Sequence, residues 1–339
     1  MRRFLSFLIL ACALGSSVFA LEVRDGRMRL VVDERSGRFA LYYLADVTKN
    51  RYVPLLYDQE TRTTYPTLLV DQKAYKLGDA PEFRTTISKN DSGGVSIEYR
   101  SSFCVVRQSF SFATSTGASL SDGIIISMTM ENVSQKDSTV GLRYLLDTWL
   151  GEKAGIHFVA STGAVLGTEV LYGADSAEPW IKSPGDAGAS LQVALSDPAT
   201  RPDRVIAANW KRLNDAPWTI ETNAARNFTL LPYSVNDSAV ALYYDPVVVR
   251  PGSSRTITLL LGNETTGPQR TAAAAQPASV GAATVADSAP LDLRADLIAV
   301  RSVIDAIDTA LSSGSALSTE EEAALEATLK RLEARKVAY

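Results

Sequence analysis

Histidine and cysteine are scarce in this sequence of 339 residues. It holds one histidine, His157, and two cysteines, Cys12 and Cys104. A zinc site with several histidines and an acid–base pair of two histidines are therefore excluded, and a Ser-His-Asp triad would have to use His157. The sequence also lacks a Gly-x-Ser-x-Gly elbow, a phosphate-binding loop and a dinucleotide fingerprint. We therefore predict neither a metal ion nor a cofactor.

Excess positive charge and long apolar segments are also lacking. The net charge is −4, so the chain has no broad basic field of the kind that favours nucleic acid. After residue 20, no apolar run reaches the roughly 18 residues of a membrane-spanning helix. The sequence thus predicts no nucleic-acid partner and no integral membrane span in the mature chain.

The first twenty residues have the three parts of a secretory signal peptide. Arg2 and Arg3 precede an apolar run, and small residues lead up to Ala20. We expect cleavage after Ala20 and a periplasmic or secreted protein. The alternative is a lipoprotein, because residues 9–12 resemble a lipobox that would make Cys12 the lipidated residue. In the first case Cys104 is the only cysteine left, which excludes an internal disulfide, and its apolar neighbours predict a buried thiol.

Short strands fill residues 21–264. Residues 95–100 alternate apolar and polar side chains, residues 108–112 repeat that period, and residues 124–130 are rich in β-branched residues. About 240 residues of strands with turn-rich connections predict a mainly β fold, a large antiparallel β-sandwich.

The composition changes after the predicted sandwich. Residues 265–290 are rich in Ala, Pro, Gly, Ser and Thr, which predicts a flexible linker. Residues 291–339 show apolar residues at helical spacing on both sides of a Gly/Ser joint. They predict a C-terminal helical hairpin that docks to a partner or forms a homo-oligomer.

The polar residues that follow one predicted strand are the best candidates for chemistry. Asp147 ends the strand, and Glu152 and His157 follow in a glycine-containing loop, where functional groups often gather. These three residues are the candidate catalytic set. In the alternative interpretation, Asp147 pairs with Arg143 and His157 is a structural loop residue.

Aromatic side chains offer candidate ligand contacts. Trp149, Trp180 and Trp210 lie near predicted turns, where their rings could stack on sugars, and Arg143 could bind the same ligand. Packing in the core is the alternative role for each tryptophan.

Residues 106–112 and 122–134 carry a family resemblance. Their long strands, separated by an Asn-x-Ser turn at Asn132, resemble the middle of the galactose-mutarotase-like supersandwich proteins. The resemblance implies that fold and contact with glycans. Mutarotases rely on two histidines and a glutamate, so the single His157 means that aldose epimerisation is not implied.

Two functions remain open at this point. The sparse catalytic inventory, the linker and the helical hairpin favour a non-catalytic periplasmic or cell-envelope protein that binds a glycan or a protein, or serves as a scaffold. The alternative is a carbohydrate-active enzyme of the supersandwich type that uses Asp147, Glu152 and His157.

Overall fold

The computed structural model describes residues 20–90, 93–115, 118–152, 155–185, 188–263 and 269–271. Twenty strands account for most of the described residues. They are β1 Ala20–Asp25, β2 Met28–Asp33, β3 Phe39–Asp46, β4 Arg51–Pro54, β5 Tyr65–Val70, β6 Lys73–Lys76, β7 Arg84–Lys89, β8 Val95–Arg100, β9 Cys104–Ser115, β10 Gly123–Asn132, β11 Ser138–Thr148, β12 Phe158–Ala160, β13 Val165–Leu166, β14 Val170–Gly173, β15 Trp180–Pro184, β16 Ser190–Ala194, β17 Arg204–Asn209, β18 Ser238–Val249, β19 Ser254–Gly262 and β20 Gln269–Thr271. A 3₁₀ turn, Thr61–Thr63, and a six-residue helix, α1 (Trp210–Asp215), interrupt them.

The strands form three antiparallel sheets. The first has the order β1-β2-β3-β4, and a six-stranded sheet has the order β14-β17-β18-β11-β5-β6. The largest runs β13-β12-β15-β16-β19-β10-β9-β8-β7, with β20 added beside β9. The predicted mainly β sandwich is confirmed.

The core lies where these sheets face one another. Alternate side chains of β10 and β11, such as Ile126, Met128, Leu142 and Leu146, belong to one buried cluster. This alternation follows from the pleat, which points successive side chains to opposite faces. Cys104 belongs to the same cluster, and burial raises the pKa of its thiol to about 12. The thiol is therefore protonated and packs as an apolar group.

The other face of β11 is covered by α1. Leu145 on that face packs with Tyr243 of β18 and Leu213 of α1 in a second cluster. The helix begins after Asn209, whose side chain caps it by accepting a hydrogen bond from the backbone N of Arg212. The sequence pattern did not predict α1, because a helix of six residues is too short to show the helical period of apolar residues.

Several predicted segments lie wholly or partly outside the described residues. These are the signal peptide up to residue 19, the helical hairpin of residues 291–339, and most of the linker. Within the predicted linker, Gln269–Thr271 form β20 and pair with β9. In the part of the chain that the structure describes, no helix is long and apolar enough to cross a membrane. Secretion and the hairpin's partner or homo-oligomer stay predictions.

Candidate active site

Asp147 lies near the end of β11, in the middle of the six-stranded sheet. Its backbone N donates to the Thr64 hydroxyl (3.0 Å), and its carbonyl accepts from the backbone N of Tyr57 (3.1 Å). The side chain is only 5% exposed and accepts a hydrogen bond from Thr63. The neighbouring strands and the 3₁₀ turn therefore hold this carboxyl in a fixed, nearly dry position.

Glu152 lies in the turn that follows β11. Its backbone N donates to the carbonyl of Trp149 (3.1 Å). Its carboxylate oxygen Oε1 accepts from the backbone N of Ser238 (2.9 Å) and from the Ser238 hydroxyl (3.3 Å). Since Ser238 pairs with Thr148 in the sheet, the start of β18 places two donors beside the turn. Glu152 is half-buried and keeps contact with solvent.

Asp237 is a third carboxyl at this edge of the sheet. Its backbone N donates to the carbonyl of Phe228 (3.0 Å), and its own carbonyl accepts from Trp210 N (3.0 Å) and Asn209 Nδ2 (3.1 Å). Sequence reasoning missed it. The available signal is topological, because the start of β18 must lie beside the end of its antiparallel neighbour β11.

Burial raises the pKa of all three carboxyls. Burial raises the pKa of Asp147 to about 8, against the hydrogen bond from Thr63, and the charges of Asp237 and Glu152 add to the rise. Burial likewise raises the pKa of Glu152 to about 7, opposed by Ser238 and helped by Asp237. Burial also raises the pKa of Asp237. Near pH 7 the cluster therefore holds both protonated and ionised carboxyls.

His157 is buried and makes an apolar contact. Its ring lies 4.5 Å from the Phe228 ring, centroid to centroid. Its Nδ1 is buried and has no hydrogen-bond partner among the described residues. Burial lowers the pKa of His157, which favours a neutral imidazole at pH 7.

Arg143 does not pair with Asp147 in the described structure. Its guanidinium is fully buried on the face covered by α1 and donates to the carbonyls of Leu213, Ala216 and Trp218 and to the Thr67 hydroxyl. These bonds fix the loop that follows α1. The position supports a structural role for Arg143 instead of the predicted ligand contact.

The tryptophans divide into two groups. Trp149 and Trp210 are half-buried near the carboxyls, and their Nε1 atoms donate to the carbonyls of Pro54 (3.2 Å) and Thr63 (2.9 Å). Trp180 lies instead on β15 of the largest sheet, with the Lys182 ammonium 5.9 Å from its ring centroid. Both also pack against the apolar core, Trp149 against the main cluster and Trp210 against the cluster that contains Leu145.

The described residues contain no group of three or more His, Cys, Asp or Glu side chains arranged to hold a metal ion.

The loop between Glu152 and His157 depends on a close backbone approach. Ile156 N donates to the Gly151 carbonyl (3.0 Å), and a Cβ on Gly151 would lie 1.9 Å from the Ile156 carbonyl oxygen. We expect Gly151→Ala to lower the free energy of unfolding by roughly 2–3 kcal/mol, because backbone atoms must move. Urea unfolding measures this loss.

Gly167→Ala is the matched control for that substitution. A Cβ on Gly167 has open space around it, so we expect a change within about 0.5 kcal/mol. Equal stability of Gly151→Ala and Gly167→Ala would show that the loop does not have the described packing.

Comparisons with known proteins find similarity only at the level of structure. No family model matches the chain, and no curated protein matches it. Among solved structures, a galactose mutarotase-like protein from Lactobacillus casei has 10% identity and a TM-score of 0.43, with 73% of this chain and 100% of that chain covered. An aldose epimerase homologue from C. elegans has 10% identity, a TM-score of 0.45 and coverage of 73% and 98%.

A galactose mutarotase-like protein from Clostridium acetobutylicum gives a similar result, with 9% identity, a TM-score of 0.44 and coverage of 73% and 95%. The resemblance to galactose-mutarotase-like proteins is confirmed, without a specific family.

The leading functional prediction, a non-catalytic envelope binding or scaffolding protein, is wrong. The solved structures that resemble this chain are named as galactose mutarotase-like proteins and an aldose epimerase homologue. That prediction relied on the linker and the hairpin, which carry no information about the chemistry of the sandwich. It also relied on the scarcity of histidine, which does not exclude catalysis by carboxyls.

Proposed function

We propose that this protein is a carbohydrate-active enzyme that performs acid–base catalysis at the anomeric carbon of a sugar. Asp147 is the proton donor and Glu152 is the proton acceptor. The observation that carries this proposal is the set of buried carboxyls at the shared end of β11 and β18, with pKa values raised to about 8 for Asp147 and about 7 for Glu152.

The two environments suit opposite roles. Asp147 is nearly dry, so near pH 7 it holds a proton that it can donate to an oxygen bound to the anomeric carbon. Glu152 is half-buried and accepts two hydrogen bonds from Ser238, which favour its ionised form. The difference in burial and the two Ser238 donors favour Asp147 as the acid and Glu152 as the base.

Three features support a sugar as the substrate. The half-buried Trp149 and Trp210 lie near the carboxyls and keep part of their surface exposed, which a pyranose could contact through its C–H groups. The chain resembles galactose-mutarotase-like proteins in its own sequence at residues 106–112 and 122–134. A neutral sugar also brings no charge into a cluster of acids.

His157 has a supporting role in this proposal. Its ring contacts Phe228, whose carbonyl accepts from the backbone N of Asp237. The imidazole therefore helps to place the carboxyl cluster and does not itself transfer a proton.

Replacing either carboxyl by its amide tests the proposal. We expect Glu152→Gln and Asp147→Asn each to lower kcat at least about 100-fold, since an amide cannot transfer the proton. The assays are mutarotation of free aldoses by polarimetry and release of reducing ends from glycosides. Glu34→Gln, at an exposed position, is the control, and circular dichroism confirms folding. Activity within two-fold of wild type in both amide variants would refute the proposal.

A further inference from the structure

An exposed apolar loop adjoins the carboxyl cluster. Residues 229–236, called here the 229–236 loop, connect Phe228 to Asp237. The loop exposes three large apolar side chains within five residues: Leu231 is 73% exposed, Tyr233 68% and Val235 65%. Single exposed apolar residues are ordinary, but a contiguous group beside a polar site marks a binding surface.

Hydrogen bonds inside the loop fix its shape. Leu230 and Ser234 exchange backbone hydrogen bonds, both 2.9 Å long, and Tyr233 N also donates to the Leu230 carbonyl (2.8 Å). At the ends of the loop, Asn236 N donates to the Thr229 hydroxyl (3.0 Å). The three apolar side chains are therefore presented by a closed turn, which reduces the entropy lost when a ligand binds.

The base of the loop is tied to the candidate active site through Asn209. Its Nδ2 donates to the Ser234 hydroxyl (2.9 Å) and to the carbonyls of Phe228 (2.9 Å) and Asp237 (3.1 Å). The same amide thus holds the loop and the segment that carries Asp237.

One face of the Tyr233 ring already has a partner. The Lys211 ammonium lies 5.2 Å from the ring centroid and pairs with Asp215 (2.7 Å). The cation orients the ring and leaves the rest of it exposed. An oriented, exposed aromatic ring next to two aliphatic side chains matches the alternating C–H and hydroxyl faces of a sugar.

We propose that the 229–236 loop binds the sugar units next to the one that reacts, so that the substrate is a neutral oligosaccharide. This inference rests on the proposed function and names its substrate class. The substrate is proposed to be longer than one sugar because a single sugar bound at Asp147 and Glu152 would leave the apolar side chains of the loop uncovered. The neutrality follows from the three carboxyls, since the carboxylates of a uronic acid would be repelled by them.

Binding measurements test this inference independently of turnover. Isothermal titration on the full chain carrying Glu152→Gln uses cellohexaose, maltohexaose and mannohexaose as neutral probes and hexagalacturonate as the anionic probe. We expect at least one neutral hexasaccharide to bind, with Kd raised about 10-fold by Tyr233→Ala and less than two-fold by Tyr233→Phe. Val47→Ala, which trims another exposed apolar side chain, should leave Kd unchanged.

The outcomes separate this inference from the proposed function. Loss of binding in Tyr233→Ala supports the loop even if the amide variants keep their activity. Unchanged binding in Tyr233→Ala overturns it, although loss of turnover in Glu152→Gln would still support the acid–base pair. Three other results also overturn it. Hexagalacturonate binds as tightly as the neutral probes, no probe binds, or sedimentation shows a dimer that Tyr233→Ala dissociates.

Discussion

As the pH rises from about 4 to about 8, the free energy of unfolding of the wild type should fall by roughly 3–5 kcal/mol more than that of Asp147→Asn. Burial raises the pKa of Asp147 from its ordinary value of 3.8 to about 8. Between these two values the folded chain holds a proton that the unfolded chain has released. Raising the pH therefore favours the unfolded state, and the loss is complete once the pH exceeds the folded-state pKa.

The comparison with Asp147→Asn isolates this one group. The neutral amide keeps the shape and a similar polarity, whereas His157 and the other titrating groups are common to both proteins. Urea unfolding followed by circular dichroism at pH 4 to 9 gives the two curves. Asp137→Asn, at an exposed position, should follow the wild type throughout. Parallel curves for the wild type and Asp147→Asn would show that Asp147 is ionised at neutral pH and would remove the proposed acid.

Local patterns were sufficient to predict several of the strands. Residues 124–130 are predicted as strand from their β-branched residues, and they lie within β10. Asn132 ends that strand in a turn, where its Oδ1 accepts from Ser134 N (2.9 Å) and its Nδ2 donates to the carbonyls of Lys136 and Val249. Such features depend on residues close in sequence, which a periodicity or a turn signature captures.

Features that depend on distant contacts were missed. Proline is usually confined to strand edges or bulges, yet β18 continues through Pro246 to Val249. A register shift between Val140 and Leu142 places Gly141 against the proline ring, with only 3.0 Å between a Cβ on Gly141 and Pro246 Cγ. A bulge with a glycine accommodates the proline, and no local pattern pairs these two positions.

The candidate site shows the same division. Asp147 and Glu152 could be selected from sequence because they follow one strand and are near each other in the chain. Asp237 and Ser238 are about 85 residues further on, and only the pairing of β11 with β18 brings them to Glu152. The raised pKa values depend on this tertiary arrangement, so they could not be predicted from the residue types alone.

Phe228→Ala should lower the free energy of unfolding by about 3–5 kcal/mol, the usual cost of emptying the site of a buried phenylalanine. Phe228 is fully buried although residues 224–227 before it are all exposed. Its ring contacts His157 (4.5 Å) and Phe158 (5.5 Å), centroid to centroid. The substitution leaves a cavity between β12 and the segment that carries Asp237.

The single histidine makes the local effect measurable. Phe228→Ala should admit water to His157 and raise the pKa of its imidazole toward the ordinary value, because burial is what lowers it. Proton NMR of the untagged protein follows this one imidazole without ambiguity.

Phe39→Ala is the matched control, since Phe39 is equally buried and contacts Phe110 (5.1 Å) on another part of the core. It should cost a similar free energy and leave the His157 titration unchanged. If Phe228→Ala instead costs less than about 1 kcal/mol, or if both variants shift the histidine equally, Phe228 does not hold His157 and the Asp237 segment together. In that case the Asp237 segment must be positioned by other contacts, such as those of its carbonyl with Trp210 N and Asn209 Nδ2.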